Sequence, residues 1–354
     1  MGQGILPIMK HLILFDVDGV LFDVSGSYRS VIIRTVEYYL KRILGFKLPR
    51  GHIVCGKDID ALKYFGGFND DWDLTAGLLY YYLDLLDLPS GVLLKRSNDL
   101  EVNLHQLSRW KKEFRASAVP ERIQTRRLKK FLENIPCRHR GLDAIIRSVG
   151  DKAKNLVFYG GKLESTNIVR RIFQEAYLGR KCFRRAYGLT SKFIKSNGAY
   201  LKEKPLIPKT VFKKLTEQGH TLGLVTGRPR SELMPTMDRF QMDMYFSVVV
   251  PVDVVWKEEK KKYQRTGRKI SLTKPNPFSL VYAIQAAKGR FDSVFYVGDQ
   301  PDDMRAARNV RKRYPKVKAI GYVPDKDRAR IQQLKKAGAC VVANDARSLF
   351  EILS

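Results

Sequence analysis

Two aspartates one residue apart, Asp16 and Asp18, directly follow the apolar run Leu12-Ile13-Leu14-Phe15. Such a run reads as a buried strand, and Gly19 lets the chain turn sharply behind the second acid. Open α/β sheets bind ligands at the carboxyl ends of their strands. Two acids placed there can hold a divalent cation, and one can act as a nucleophile while the other moves protons. A turn carrying two solvated acids is the competing account; the clean strand before them argues for a site.

Three more groups follow the same logic. Thr226-Gly227-Arg228 ends an apolar strand, Thr221 to Val225, where a hydroxyl and a backbone N–H can bind an anionic oxygen. Lys274-Pro275 precedes Pro277, which opens a helix. A lysine fixed by a following proline can be aimed at an anion, although one lysine among 65 Lys and Arg carries little alone. Gly298-Asp299-Gln300-Pro301-Asp302-Asp303 follows Phe295-Tyr296-Val297. Asp299 and Asp303 at a strand–helix junction can reach a cation directly and through its waters. The helix dipole alone accounts for an acid at Asp302 or Asp303, but not for Asp299 after a glycine at the strand end.

The elements that must position these groups are legible in outline. Ser25 to Gly45 carries an apolar stripe at helical spacing, Val31, Ile32, Val36, Tyr39, Leu40 and Ile43. Residues 58–198 are mostly helical in pattern, with breaks near Pro120, Pro136 and Tyr159-Gly160-Gly161. From Pro205 onward short apolar strands alternate with helices. That alternation implies right-handed crossovers and an α/β, doubly wound, mostly parallel sheet. The Lys-rich stretch Lys257 to Arg268 is expected to be a solvated, mobile loop. The expected sheet domain is 1–24 plus 205–354, interrupted by a helical domain of 25–204.

Taken in order, Asp-x-Asp, Thr-Gly, Lys-Pro and Gly-Asp-x-x-x-Asp resemble the haloacid dehalogenase (HAD) superfamily of Mg2+-dependent hydrolases. The resemblance covers roughly residues 10–30 and 205–345. The helical insertion resembles the α-helical cap of one subfamily, though it is longer than usual. The resemblance implies a Rossmann-like core and an enzyme that hydrolyses the phosphate monoester of a small metabolite. Asp16 would be the nucleophile that forms an aspartyl-phosphate, and Asp18 the acid and base. Mg2+ would sit on the Asp16 carboxylate, the Asp18 backbone carbonyl and Asp299, with Asp303 supporting through water. Thr226 and the Gly227 N–H would bind the phosphoryl group, and Lys274 would neutralise charge. Asp18 argues against a dehalogenase, which lacks the second aspartate. A phosphomutase would use the same residues.

Substrate choice is expected in the cap. The best candidate loop is Gly66 to Asp73, with Asn69 and Trp72 as substrate contacts; a helix-capping turn with Trp72 in the cap core is the alternative. Arg228 either reaches the substrate or makes a surface ion pair.

With 44% hydrophobic and 11% aromatic residues, 354 residues suffice for two folded domains. The net charge of +29 is uneven: residues 91–204 hold 27 Lys and Arg against 10 Asp and Glu, net +17. Such an excess favours anionic partners. A nucleic-acid-binding protein or a polynucleotide end phosphatase is therefore the second reading. Sparse aromatics there and the lack of a recognised nucleic-acid motif weigh against it. No apolar run approaches the ~20 residues of a membrane span. Met1 to Met9 lacks a secretory pattern. The cysteines are scattered with no Cys-x-x-Cys, and the histidines are isolated. Reduced thiols, no zinc site and a cytoplasmic location are expected.

Overall fold

The computed structural model describes residues 9–48, 50, 52–68, 70–86, 88, 94–113, 125–136 and 139–354. The chain forms two compact units, Met1–Val24 with Glu203–Ser354, and Ser25–Lys202. The chain re-enters the sheet unit two residues before the expected position. Glu203 is fully buried beside Arg228, and Lys204 and Pro205 pair with Asp23 and Phe22.

In the sheet unit the strands are β1 (His11–Phe15), β2 (Phe22–Asp23), β3 (Lys204–Pro205), β4 (Thr221–Val225), β5 (Val248–Val250), β6 (Ser293–Gly298), β7 (Val317–Tyr322) and β8 (Val341–Ala343). β2 and β3 form a small antiparallel ribbon. The other six are parallel, in the order β5-β4-β1-β6-β7-β8. The chain builds outward from β1 to β5 on one side, then returns to build β6 to β8 on the other. The carboxyl end of β1 is therefore the switch point of the sheet, where a crevice opens.

Every residue of β1 is buried, which explains its unbroken apolar run from Leu12 to Phe15: a parallel sheet is covered on both faces. Ile13 and Phe15 join Leu222, Leu224, Phe295 and Val297 in a core on one face. Leu12 and Leu14 join Val294, Tyr296, Leu280 and Met304 on the other. Leu14 stands opposite Gly223 on β4 and Tyr296 on β6.

The expected loop at Lys257 to Arg268 is corrected by the structure, because most of it lies in a helix, Val252–Thr266. Its Lys, Glu, Gln and Arg residues are good helix formers. Val252 and Val255 anchor its first turns beside Leu272, and Glu259 Oε1 accepts the Leu272 N–H at 2.7 Å. A terminal helix, Ala346–Leu353, capped by the Asp345 side chain, was not anticipated.

The helical unit is built around the helices Tyr28–Tyr38, Asp71–Asp84 and Ile168–Tyr187. Every residue from Leu74 to Leu83 is buried. Tyr39 knits the interior together: its hydroxyl donates to the Leu156 carbonyl at 2.8 Å and accepts from the Phe158 N–H at 3.0 Å. Among the described residues no helix is long and apolar enough to cross a membrane.

Replacing Tyr39→Phe strips partners from two buried backbone groups. It should lower stability by about 1–3 kcal/mol, measured as a shift of the urea midpoint with an unchanged slope. An unshifted midpoint would refute this account of the unit's interior.

Candidate active site

The backbone of β1 delivers Asp16 to the carboxyl edge of the sheet. Its N–H donates to the Val297 carbonyl of β6 at 2.8 Å, one step beyond the strand, which ties it to the Gly298-Asp299 corner. Gly19 completes the turn with a φ of +76°. A Cβ at Gly19 would overlap the Asp299 carboxylate, so the first turn and the fourth motif are in direct backbone-to-side-chain apposition.

Lys274, whose bond to Pro275 is cis, sits at the centre. Its ammonium is 3.0 Å from Asp16 Oδ1 and 2.7 Å from Asp303 Oδ1, and it donates to the Tyr296 hydroxyl at 2.9 Å. Tyr296 in turn donates to Asp303 Oδ1 at 2.9 Å. The other Asp303 oxygen accepts the Gln300 N–H at 3.0 Å in a capping box that starts the helix Pro301–Val310. Both Asp303 oxygens are thus engaged in holding Lys274 and the helix.

Asp299 is arranged differently. Its Oδ2 accepts from Gln300 Nε2 at 2.6 Å and from Arg330 Nη2 at 3.3 Å. Its Oδ1 is buried and has no hydrogen-bond partner among the described residues. Asp16, Asp299 and Asp303 each bring one oxygen within 4.8 Å of the others. A buried carboxylate oxygen without a donor is costly, and a set of carboxylate oxygens is the donor type that hard divalent cations take.

The electrostatics follow from burial. Asp16 is 6% exposed. Desolvation pushes its carboxyl up to about 7; Lys274 pulls it down, while Asp303 and Asp18 push it further up. Asp299 is held well above the carboxylate range by burial, then by the negative neighbours Asp303 and Asp16, against Arg330 and Gln300. For Lys274 burial works against the charge, but Asp16 and Asp303 outweigh it and hold the ammonium protonated.

Thr226 is buried, with its N–H on the Val250 carbonyl at 3.1 Å and its Oγ1 accepting the Arg228 N–H at 3.0 Å. Gly227 is exposed, and no atom lies within 4 Å of where its Cβ would be. The space beside its backbone is open to an anion.

Arg228 does neither thing expected of it. Its side chain is 1% exposed, too deep for a surface ion pair. Its guanidinium is held by Asp18 and Glu203 rather than presented to a ligand. Trp72 lies in the helical unit, 4% exposed, edge-on to Phe173 and with the Arg170 guanidinium 3.6 Å over its ring. It packs in that unit's interior, next to the capping turn in which Asp70 accepts the Asp73 N–H at 2.8 Å. Asn69 lies outside the described residues.

Four residues escaped the sequence reading: Tyr296, Gln300, Arg330 and Glu203. Tyr296 had a signal, a hydroxyl amid the apolar run Phe295-Tyr296-Val297. Arg330 and Glu203 had none, being one base and one acid among many.

The parallel sheet with helices and a buried acidic cluster at its switch point defines a Rossmann-like α/β class. A family model for haloacid dehalogenase-like hydrolases matches residues 189–314, which contain Thr226, Lys274, Asp299 and Asp303. That stretch, most of it in the sheet unit, is similar to the haloacid dehalogenase-like hydrolases. A 67-residue stretch is 39% identical to an imidazoleglycerol-phosphate dehydratase of Phytophthora nicotianae. The match covers 19% of this chain and only 12% of that protein. Among solved structures, a structural genomics consortium target matches with a TM-score of 0.68 at 21% identity, over 98% of each chain. Phosphatase Tt82 from Thermococcus thioreducens matches with a TM-score of 0.53 at 20% identity, over 87% of this chain and 91% of that one. These likenesses extend the shared fold across both units' sequence.

Gly19→Ala should destabilise the protein by at least about 1 kcal/mol, because the left-handed conformation penalises a side chain, and should also displace Asp299. Chemical denaturation reads the first effect. Wild-type stability in the variant would show that the turn and Asp299 do not touch as described.

Proposed function

We propose that this chain is a Mg2+-dependent phosphatase that hydrolyses the phosphate monoester of a small metabolite through an aspartyl-phosphate on Asp16. One observation carries the reading: a half-buried lysine bridges Asp16 and Asp303 beside an Asp299 oxygen that has no donor among the described residues. A simple structural ion pair would have no use for that last feature.

Mg2+ would be held by Asp16 and Asp299, with the Asp18 backbone carbonyl completing the protein's share. Asp303 stands behind, since Lys274, Tyr296 and Gln300 occupy its oxygens. When bound, the ion supplies positive charge against the phosphoryl oxygens and relieves the repulsion among the carboxylates.

The chain's own groups do the rest. The Thr226 hydroxyl and Gly227 N–H receive the equatorial oxygens, and Lys274 offsets charge on Asp16 and the phosphoryl group. An Asp16 oxygen attacks phosphorus, and the bond to the leaving oxygen breaks as Asp18 delivers a proton to it. Water then attacks the aspartyl-phosphate, Asp18 takes its proton, and inorganic phosphate leaves with Asp16 restored. Tyr296 and Asp303 keep the Lys274 ammonium aimed at Asp16 throughout.

With MgCl2 present, the protein should hydrolyse 4-nitrophenyl phosphate, and Asp16→Asn should reduce kcat to background while leaving the thermal transition intact. Undiminished turnover in that variant would rule out Asp16 as nucleophile. A panel of phosphorylated metabolites then identifies the substrate.

Asp16 also predicts a pH effect. Its folded-state value, about 7, lies above that of an unfolded aspartate. The metal-free fold therefore gains stability from this group at low pH and loses it as pH rises through about 7. A cation bound at the ionised carboxylates should restore it. Mg2+ at about 100 times its Kd should add about 2.7 kcal/mol at pH 8 and clearly less at pH 5, read by denaturant unfolding. Equal stabilisation at both values would argue against carboxylate ligation.

A further inference from the structure

Arg228 carries more than the phosphate-binding loop it belongs to. Its side chain is 1% exposed, yet it bears a permanent charge. Nε and Nη2 both reach Asp18 Oδ1 at 2.5 Å, and Nη1 reaches Glu203 Oε2 at 3.0 Å. Glu203 is fully buried and accepts a second hydrogen bond from Thr236 Oγ1 at 2.9 Å. The Arg228 backbone is tied down as well: its N–H donates to Thr226 Oγ1, and its carbonyl accepts the Val252 N–H at 3.1 Å.

We propose that Arg228, locked by Glu203, is the positioning residue for the proton carrier Asp18. The inference rests on the role given to Asp18 above. Nε of the planar guanidinium donates to one Asp18 oxygen, and Nη2 stands in ion-pair contact with the same oxygen. That fixes the rotation of the carboxyl group and hence the direction of its other oxygen. A lysine, a single charged point on a flexible stem, would not fix it. Glu203 offsets the second half of the guanidinium charge and sets its plane, and Thr236 fixes Glu203 in turn. Because the Arg228 N–H also orients the Thr226 hydroxyl, one residue sets both the oxygen that meets the phosphoryl group and the carboxyl that serves the leaving oxygen. Arg228 touches neither the substrate nor the transferred proton; it acts through Asp18.

The double variant R228Q/E203Q removes both buried charges together, so neither is stranded. Its kcat/KM is compared with wild type and D18N on 4-nitrophenyl phosphate and on phenyl phosphate, whose poorer leaving group depends more on protonation. The expected loss on phenyl phosphate is about 10- to 100-fold, within the range of general acid catalysis, with a smaller loss on 4-nitrophenyl phosphate. Added to D18N, the pair of changes should cost nothing further, since residues acting through one group are not additive. An equal loss on both substrates, or a full additional loss in the D18N background, would make Arg228 a fold-supporting residue only and overturn the proposal. Should the double variant fail to fold, R228K keeps the charge and loses the fork. It should show the same split between substrates, and an unchanged substrate ratio would overturn the proposal equally. A wild-type protein inactive on both substrates would instead remove the phosphatase reading, and this one with it.

Discussion

Buried negative charge is the constraint on which the rest of the sheet unit depends. Asp16, Asp299 and Asp303 crowd their oxygens together out of water, and carboxylates desolvated in this way repel one another and resist ionisation. Lys274 is the main compensation, and nearly every neighbouring detail serves it. Tyr296 bridges it to Asp303, the Gln300 N–H holds the far Asp303 oxygen, and the helix Pro301–Val310 begins there. Arg330 contributes a second positive charge at Asp299. Among the described residues, what these groups leave unmet is one Asp299 oxygen, where the proposed cation would sit.

The two acids of the first motif are separated chemically by the cations they meet. Asp16 faces a lysine, a compact charge that offsets its own without fixing its orientation in a plane. Asp18 faces an arginine whose Nε donates to one of its oxygens, with Nη2 in ion-pair contact. Neighbours in sequence therefore receive different environments, as the proposed roles of nucleophile and proton carrier require. The sheet makes this possible because β1 is central, with β4 supplying Arg228 from one side and β6 supplying Asp299 from the other.

The helical unit follows a different rule. Its pattern of apolar spacing was readable, but its candidate ligand residue Trp72 went to the interior. A large aromatic ring in the first turn of a helix whose residues Leu74 to Leu83 are all buried stabilises more by packing than it could by exposure. The Lys-rich stretch after β5 shows the converse: a charged run read as solvated loop is helical, because two valines at its start bury and the charged residues behind them have high helix propensity.

The sequence by itself determined the class of sheet, the position of its first strand, the four corners and their residue types. Those are local properties: apolar runs, a glycine after an acid, a proline after a lysine. It also announced Asp16, Thr226, Lys274 and Asp299 as a set, since three of them follow strand ends and Lys274 with its proline stands just before a helix. Tertiary structure alone decided the pairings. That Lys274 lies between Asp16 and Asp303, that Tyr296 joins them, and that Arg228 turns inward to Asp18 and Glu203 are consequences of a sheet whose assembly brings Asp18 to Arg228 at 2.5 Å and Asp16 to Lys274 at 3.0 Å across most of the chain's length. Charge balance in a buried cluster is a property of the assembled edge, and no local stretch of chain contains it.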